Sequence, residues 1–218
     1  SMSSVFRNPV SSHSDRELPE IAANGTSVTA DGIMQSGTSQ ASPAVAGVAA
    51  LLQGTDSTLK HWPEACRALL LAGATRNVRG DTWWRDVVTG ADARDGAGSL
   101  NAAESRQIAL HRRWRGAPAS RRGWDIGLLS SADFGSDKLS TFEYHVKVPS
   151  FWRGSRHVKV ALAWTSKVSS FSSPLFELFS SNLSVDLDLK VFDENGTQVG
   201  YSGSWDNSYE IAEFTANP

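Results

Sequence analysis

The sequence predicts an α/β region followed by an all-β antiparallel region of jelly-roll-like sandwich type. Three observations carry this. Residues from about 20 to 105 are rich in Ala and Gly and hold helix signals. Beyond about residue 124, apolar and polar side chains alternate with the period of two expected of strands that bury one face. A short arginine-rich stretch lies between. The boundaries drawn are 1–112 for the α/β region, 113–123 for an Arg-rich linker and 124–218 for the β-sandwich. The sandwich is expected to be truncated, because Tyr209 to Pro218 reads as a strand leading to further strands.

Taken in order, Ser42 to Leu52 is apolar on every side, which predicts a helix buried all round. Pro43 suits its first turn and Gly54 its C-terminal stop. A second helix is predicted from Pro63 to about Ala72, with Glu64 and Arg67 facing out. The segment from Arg106 to Gly123 holds Arg106, Arg112, Arg113, Arg115, Arg121 and Arg122. A solvated linker is the reading preferred over a nucleic-acid patch, since no nucleic-acid-binding fold accompanies it. Strands are predicted over 142–148, 158–164 and 185–191, and Asn195-Gly196 is a hairpin turn signal. Residues 166–182 mix serines with Phe171, Leu175, Phe176, Leu178 and Phe179, and read as a long loop packed on a neighbouring surface.

Composition sets outer bounds. Hydrophobic residues make up 40% and charged residues 20%, as in an ordinary globular protein, and the formal net charge of −2 gives no global pull towards nucleic acid or anionic membrane. No apolar run reaches the roughly 18 residues that a membrane-spanning helix needs. Neither nucleic acid nor membrane is therefore expected as a partner. The single cysteine, Cys66, reads as a small buried thiol. Ser1-Met2-Ser3-Ser4 reads as an expression remnant and not as a signal peptide, so any targeting segment is expected upstream.

The most specific feature is Gly37-Thr38-Ser39-Gln40-Ala41-Ser42-Pro43. A serine hydroxyl is a weak nucleophile and must be presented where a base can reach it. Gly37 lets the backbone turn and leaves room for a substrate chain. Ser39 is then placed at the entrance of a buried helix, where unpaired N–H groups and the helix dipole favour the oxyanion formed when a carbonyl is attacked. For a serine at such a place with no motif around it, N-capping is the commoner role.

The run Gly37 to Pro43, followed by Ala46-Gly47, resembles the nucleophile signature of subtilisin-like serine proteases, the subtilases of peptidase family S8. Asp15 to Gly25 resembles the strand that precedes that signature, with Asn24 where a proline is common. Asp95 to Ala102 resembles the Gly-x-Gly-x-x-Asn-Ala segment that closes the family's catalytic domain. The stretch Val160 to Thr165, then Val185 to Leu189 and Asn195-Gly196, is similar to the β-sandwich attached to some large bacterial subtilases. The resemblance implies a subtilisin-like catalytic-domain fragment, with Ser39 as acylating nucleophile and its N–H as half of the oxyanion hole. It further implies that Thr38 supports that hole and that Gly37 shapes the cleft.

In this family the order along the chain is Asp, then His, then Ser, with the oxyanion asparagine between His and Ser. Only 38 residues precede Ser39. His13, Asp15 and Asp31 lack the surroundings of the family's motifs, and His61, His111, His145 and His157 follow the serine. The chain is therefore expected to begin part-way through a catalytic domain and to be inactive alone. Its expected partners are a protein or peptide substrate and the missing N-terminal part of the catalytic domain. The resemblance implies a secreted or cell-envelope location, and the residues themselves do not set the compartment. The alternative is a non-catalytic fragment, or a degenerate protease, whose β-sandwich acts as a binding or scaffolding module.

No cofactor is required for this chemistry. Asp186 and Asp188, two apart on a predicted strand, share one face, and Asp206 and Glu210 could converge on them from a neighbouring strand. A structural calcium would suit that all-oxygen set. A polar outer face beside Lys190 is the preferred reading. Asp92 and Asp95 are read as turn residues.

Overall fold

The structure, a computed structural model, describes residues 19–75, 96–148, 157–173 and 176–216. Over 169–173 and 176–181 only the backbone is described. His13, the segment Asp15 to Leu18, Asp92, Asp95, Trp83, Trp84 and Trp152 lie outside the described residues.

The chain enters through a short hairpin, β1 (Val28–Ala30) and β2 (Ile33–Gln35), and turns directly into α1 (Thr38–Thr55). A 3-10 turn over Ser57–Lys60 leads to α2 (Pro63–Gly73). Asp56 opens that turn by accepting the Thr58 N–H at 2.8 Å, which explains why α1 stops one residue beyond Gly54. Pro63 occupies the first turn of α2, where its missing N–H costs nothing. α3 (Ala102–Ala109) is capped by the Asn101 side chain, which accepts the Glu104 N–H. Leu52, Leu59, Leu69 and Cys66 form the core between these helices, closed by Trp124, whose indole N–H donates to the Ala109 carbonyl at 2.9 Å.

The later region is built of antiparallel pairs. β3 (His157–Ala163) pairs with β8 (Tyr209–Thr215), β4 (Val168–Ser173) with β5 (Phe176–Leu183), and β6 (Leu189–Phe192) with β7 (Gln198–Ser202). The β6–β7 turn is made at Asp193 to Gly196, with Gly196 at φ +77, a conformation that glycine adopts freely. Together the chain has mixed helix and strand content with small antiparallel sheets.

The two regions share a core. Leu71 and Ala74 at the end of α2 pack with Ala97, Tyr209 and Ile211, and Ala161 and Ala163 of β3 join them. The stretch 111–124 folds back on itself: Arg113 N–H donates to the Trp124 carbonyl and Trp124 N–H to the His111 carbonyl. Its arginines are used internally. Arg112 donates to Thr58 and lies over the Trp124 ring, and Arg115 donates to Asp133 and lies 3.6 Å from the Phe142 ring centre.

Four expectations need correction. α1 begins at Thr38 and not at Ser42, so Pro43 lies inside it and leaves the Ser39 carbonyl without its helical N–H. That helix is not buried all round: only Val48 and Leu52 of its residues are buried, and Leu51 is 66% exposed. The stretch 166–182, expected as a loop, holds instead the paired strands β4 and β5. Residues 142–148 are not a strand: Val146 makes one isolated bridge to Ser120, while Phe142 is engaged by Arg115 and Tyr144 donates to Asp125.

Candidate nucleophile site

Gly25, Gly37, Thr38 and Ser39 are brought together by the loop that feeds α1. Gly37 N–H donates to the Gly25 carbonyl at 2.7 Å, which ties the turn before the helix to the chain that enters the hairpin. The approach is close enough that a Cβ on Gly25 would run into the Gly37 carbonyl. A second tie follows, from Ser27 N–H to the Ser36 hydroxyl at 2.8 Å. A third joins the Gln40 amide to the Gln35 side chain at 2.8 Å. Sequence reading missed Gly25 as a packing position, although its glycine in the run leading to the signature was the available signal.

Gly37 is the N-cap residue of α1, and Thr38 and Ser39 occupy its first turn. A glycine cap has no side chain, and no side-chain cap bond closes this end of the helix. No acidic residue lies in the first turn either. Gln40 N–H donates to the Gly37 carbonyl at 3.2 Å, which leaves the N–H groups of Thr38 and Ser39 for an incoming anion, with the positive end of the helix dipole behind them. Ser39 itself is exposed. The arrangement can hold a serine hydroxyl beside unpaired donors, which is the half of an acyl-transfer site that stabilises negative charge.

Among the described residues, the basic half is not gathered around it. His111 Nδ1 lies 2.7 Å from the Gln107 carbonyl, and His145 and His157 sit beside Glu143 and Glu213. His61 ends the 3-10 turn beyond α1, and Asp31 sits in the β1–β2 turn.

Of the four carboxylates read as a cation site, Asp186 and Asp188 are exposed and precede β6, whereas Asp206 and Glu210 are buried. Glu210 accepts the Ser204 N–H at 2.7 Å and a bond from the Ser202 hydroxyl. Burial pushes its carboxyl up to about 8, with Asp188 and Asp186 adding to the effect against those two bonds. Asp188 receives the Tyr201 hydroxyl at 3.4 Å. Among the described residues, no group of three or more His, Cys, Asp or Glu side chains is placed to hold a metal ion. Among the same residues, no helix is long and apolar enough to cross a membrane.

Glu64 and Arg67 do not face solvent as expected. With Leu71 and Ala74 they form one stripe of α2, at the helical spacing of three and four, turned towards the β region. Glu64 accepts from Thr165. Arg67 forms a paired contact with Glu20, Nη2 to Oε1 at 2.6 Å and Nε to Oε2 at 2.9 Å, and donates to the Ser208 hydroxyl at 2.8 Å. From the other side, Lys159 Nζ reaches the Ala74 and Ala97 carbonyls at 3.0 and 2.6 Å and lies 2.7 Å from Glu213. The stripe was present in the sequence, but its partners lie 47 to 141 residues away.

Residues 3–98 match the family model of the subtilase family, peptidase family S8. No curated protein matches the chain.

Proposed function

We propose, on the premise that residues 3–98 belong to the subtilase family, that the chain carries the nucleophile of a serine endopeptidase and that Ser39 is that residue. The observation that carries this reading is an exposed serine in the first turn of a helix whose cap is a glycine without a side-chain bond. The Ser39 Oγ attacks the scissile carbonyl while a base takes its proton. Charge that develops on the carbonyl oxygen is met by the Ser39 N–H, with Thr38 supporting that contact and Gly37 leaving the cleft open. Collapse of the tetrahedral species expels the amine and leaves an ester on Ser39, which water then hydrolyses.

The base, its carboxylate and the second oxyanion donor come from another part of a subtilase catalytic domain. Two features support a covering partner of this kind. Leu51 is 66% exposed on α1, and Ile33 and Met34 are 61% and 67% exposed on the adjoining hairpin. His111, His145 and His157 stand beside other partners. The chain alone is then inactive, since a serine without its base acylates at no useful rate. The β3–β8 and β6–β7 pairs form the near layers of a jelly-roll-like sandwich in this reading, Gly200 of β7 lying against Ala212 and Phe214 of β8.

Labelling with a fluorophosphonate probe, with peptide mapping, tests the assignment on this chain and on the full-length gene product side by side. The expected outcome is labelling at Ser39 in the full-length product alone. Failure of both to label overturns the protease reading. Labelling of this chain alone overturns the requirement for a covering partner.

A further inference from the structure

We infer that Arg67 is a positioning residue for the nucleophile turn, through which the β region holds the segment that sets Ser39. This inference rests on the protease reading for its effect on rate, but the geometry behind it is independent of that reading.

The connection is continuous. At one end the Arg67 guanidinium donates to the Ser208 hydroxyl at 2.8 Å and to its carbonyl at 3.3 Å, and lies 4.8 Å from the centre of the Tyr209 ring, at the start of β8. At the other it grips both oxygens of Glu20. A two-pronged guanidinium–carboxylate contact fixes orientation as well as distance. The Arg67 and Glu20 side chains are only 27% and 31% exposed, so solvent weakens the pair less than it would a pair at an open surface.

Glu20 begins a short extended segment locked on its other edge. Its carbonyl accepts the Ala97 N–H at 2.8 Å, Ala22 N–H donates to Gly98 at 2.9 Å, and the Ala22 carbonyl accepts the Leu100 N–H at 2.7 Å. Three residues after Ala22 comes Gly25, whose carbonyl holds Gly37. Ala97 belongs to this ladder and to the second seam as well, since its carbonyl accepts from Lys159 of β3. The segment that ends at the Gly25–Gly37 bond is thus gripped directly by Arg67, which also bonds to Ser208 of the β region, while Lys159 of β3 holds Ala97 on the facing edge of the ladder. A rotation of Glu20 is transmitted to Gly25 over five residues, and from there to the turn that sets the direction of the Ser39 hydroxyl. A displacement of about 1 Å in a reacting group costs on the order of 100-fold in rate.

The test uses the full-length gene product with Arg67→Ala, Arg67→Lys, Glu20→Gln and Ser208→Ala. The readouts are kcat and KM on a peptide substrate, and amide hydrogen exchange at Gly37 and at Leu69. For Arg67→Ala the expected result is a fall of roughly 10- to 100-fold in kcat with KM within about twofold. Gly37 should exchange about tenfold faster while Leu69 in α2 is unchanged. Arg67→Lys should recover part of the loss, because an ammonium keeps the charge without the planar fork. Ser208→Ala, which leaves the Glu20 pair intact, should move both readouts the same way by less.

Unchanged Gly37 exchange in both Arg67→Ala and Glu20→Gln overturns the inference. So does acceleration of Gly37 and Leu69 together in all four variants, which is loss of the fold, or a loss confined to KM. A full-length product without peptidase activity removes the protease reading alone. In that case localised acceleration at Gly37 still supports the grip and unchanged exchange still overturns it.

Discussion

α1 and α2 invite comparison because their sequences promise the same thing and their surroundings do not deliver it equally. α1 has 18 residues, almost all small or apolar, and buries two of them, Val48 and Leu52. α2 has 11 residues, with a glutamate and an arginine among them, and buries six. α2 is held between two partners: Ala65, Cys66, Leu69 and Leu70 face the helical core, and its other stripe faces the β region. α1 packs through one side and presents Leu51 to solvent. Apolar composition states a demand for cover. Which face is covered depends on partners distant in the chain, and composition is silent about those.

The sharpest way to break this comparison is to truncate one leucine on each helix. Leu69 is 1% exposed, and Leu69→Ala should cost about 2–5 kcal/mol of stability in denaturant unfolding, through lost burial and the cavity left behind. Leu51→Ala should change the stability of this chain by less than about 0.5 kcal/mol. Equal losses at the two positions would mean that α1 is covered on both sides after all.

A smaller effect is expected where α1 begins. Gly25→Ala puts a methyl against the Gly37 carbonyl, and overpacking of this kind costs about 1–3 kcal/mol. The damage should be local, with fluorophosphonate labelling of the full-length product lost before the α2 core loosens. Retention of both labelling and stability would show that the turn is freer than the Gly25–Gly37 bond implies.

A third effect, spread over several pH units, concerns the sheet that covers α2. Glu210 follows Tyr209 in β8, and its carboxyl is raised from the ordinary 4.5 to about 8 by burial. Between those values the folded protein holds a proton that the unfolded chain has released. Stability from this group is therefore full below about pH 4.5 and is lost as pH rises towards about 8, by at most about 1.4 kcal/mol per pH unit. Chemical denaturation across that range should show the decline, and Glu210→Gln should flatten it. An unchanged slope in the variant would assign the pH dependence to other groups.

What could be read in advance was local. Gly37 to Pro43 is a motif of adjacent residues, and Ser39 lies in the first turn of α1, a helix whose start was expected at Ser42. α2 and β3 emerged near their expected bounds because Pro63 and the alternation of Val158 to Ala163 are local signals too. What escaped was decided at a distance. Arg67 looked solvated because nothing nearby on its helix needs it, yet Glu20 and Ser208 close on it from either side. Phe142 to Val148 alternates like a strand, but Arg115 and Asp125 claim its aromatics instead of a sheet. The serine-rich residues 168–173 read as a loop, yet they pair with β5 through backbone bonds that side-chain pattern does not reveal.

The seam at Lys159 constrains how this protein could change over generations. The ammonium faces a carboxylate and two peptide carbonyls, and those carbonyls can only accept, whatever side chains evolution writes at 74 and 97. Exchanging the charges of Lys159 and Glu213 would turn a carboxylate towards two like dipoles, so the pair has a polarity that drift cannot reverse in two steps. Position 159 can follow other substitutions around it, but only while it remains a donor.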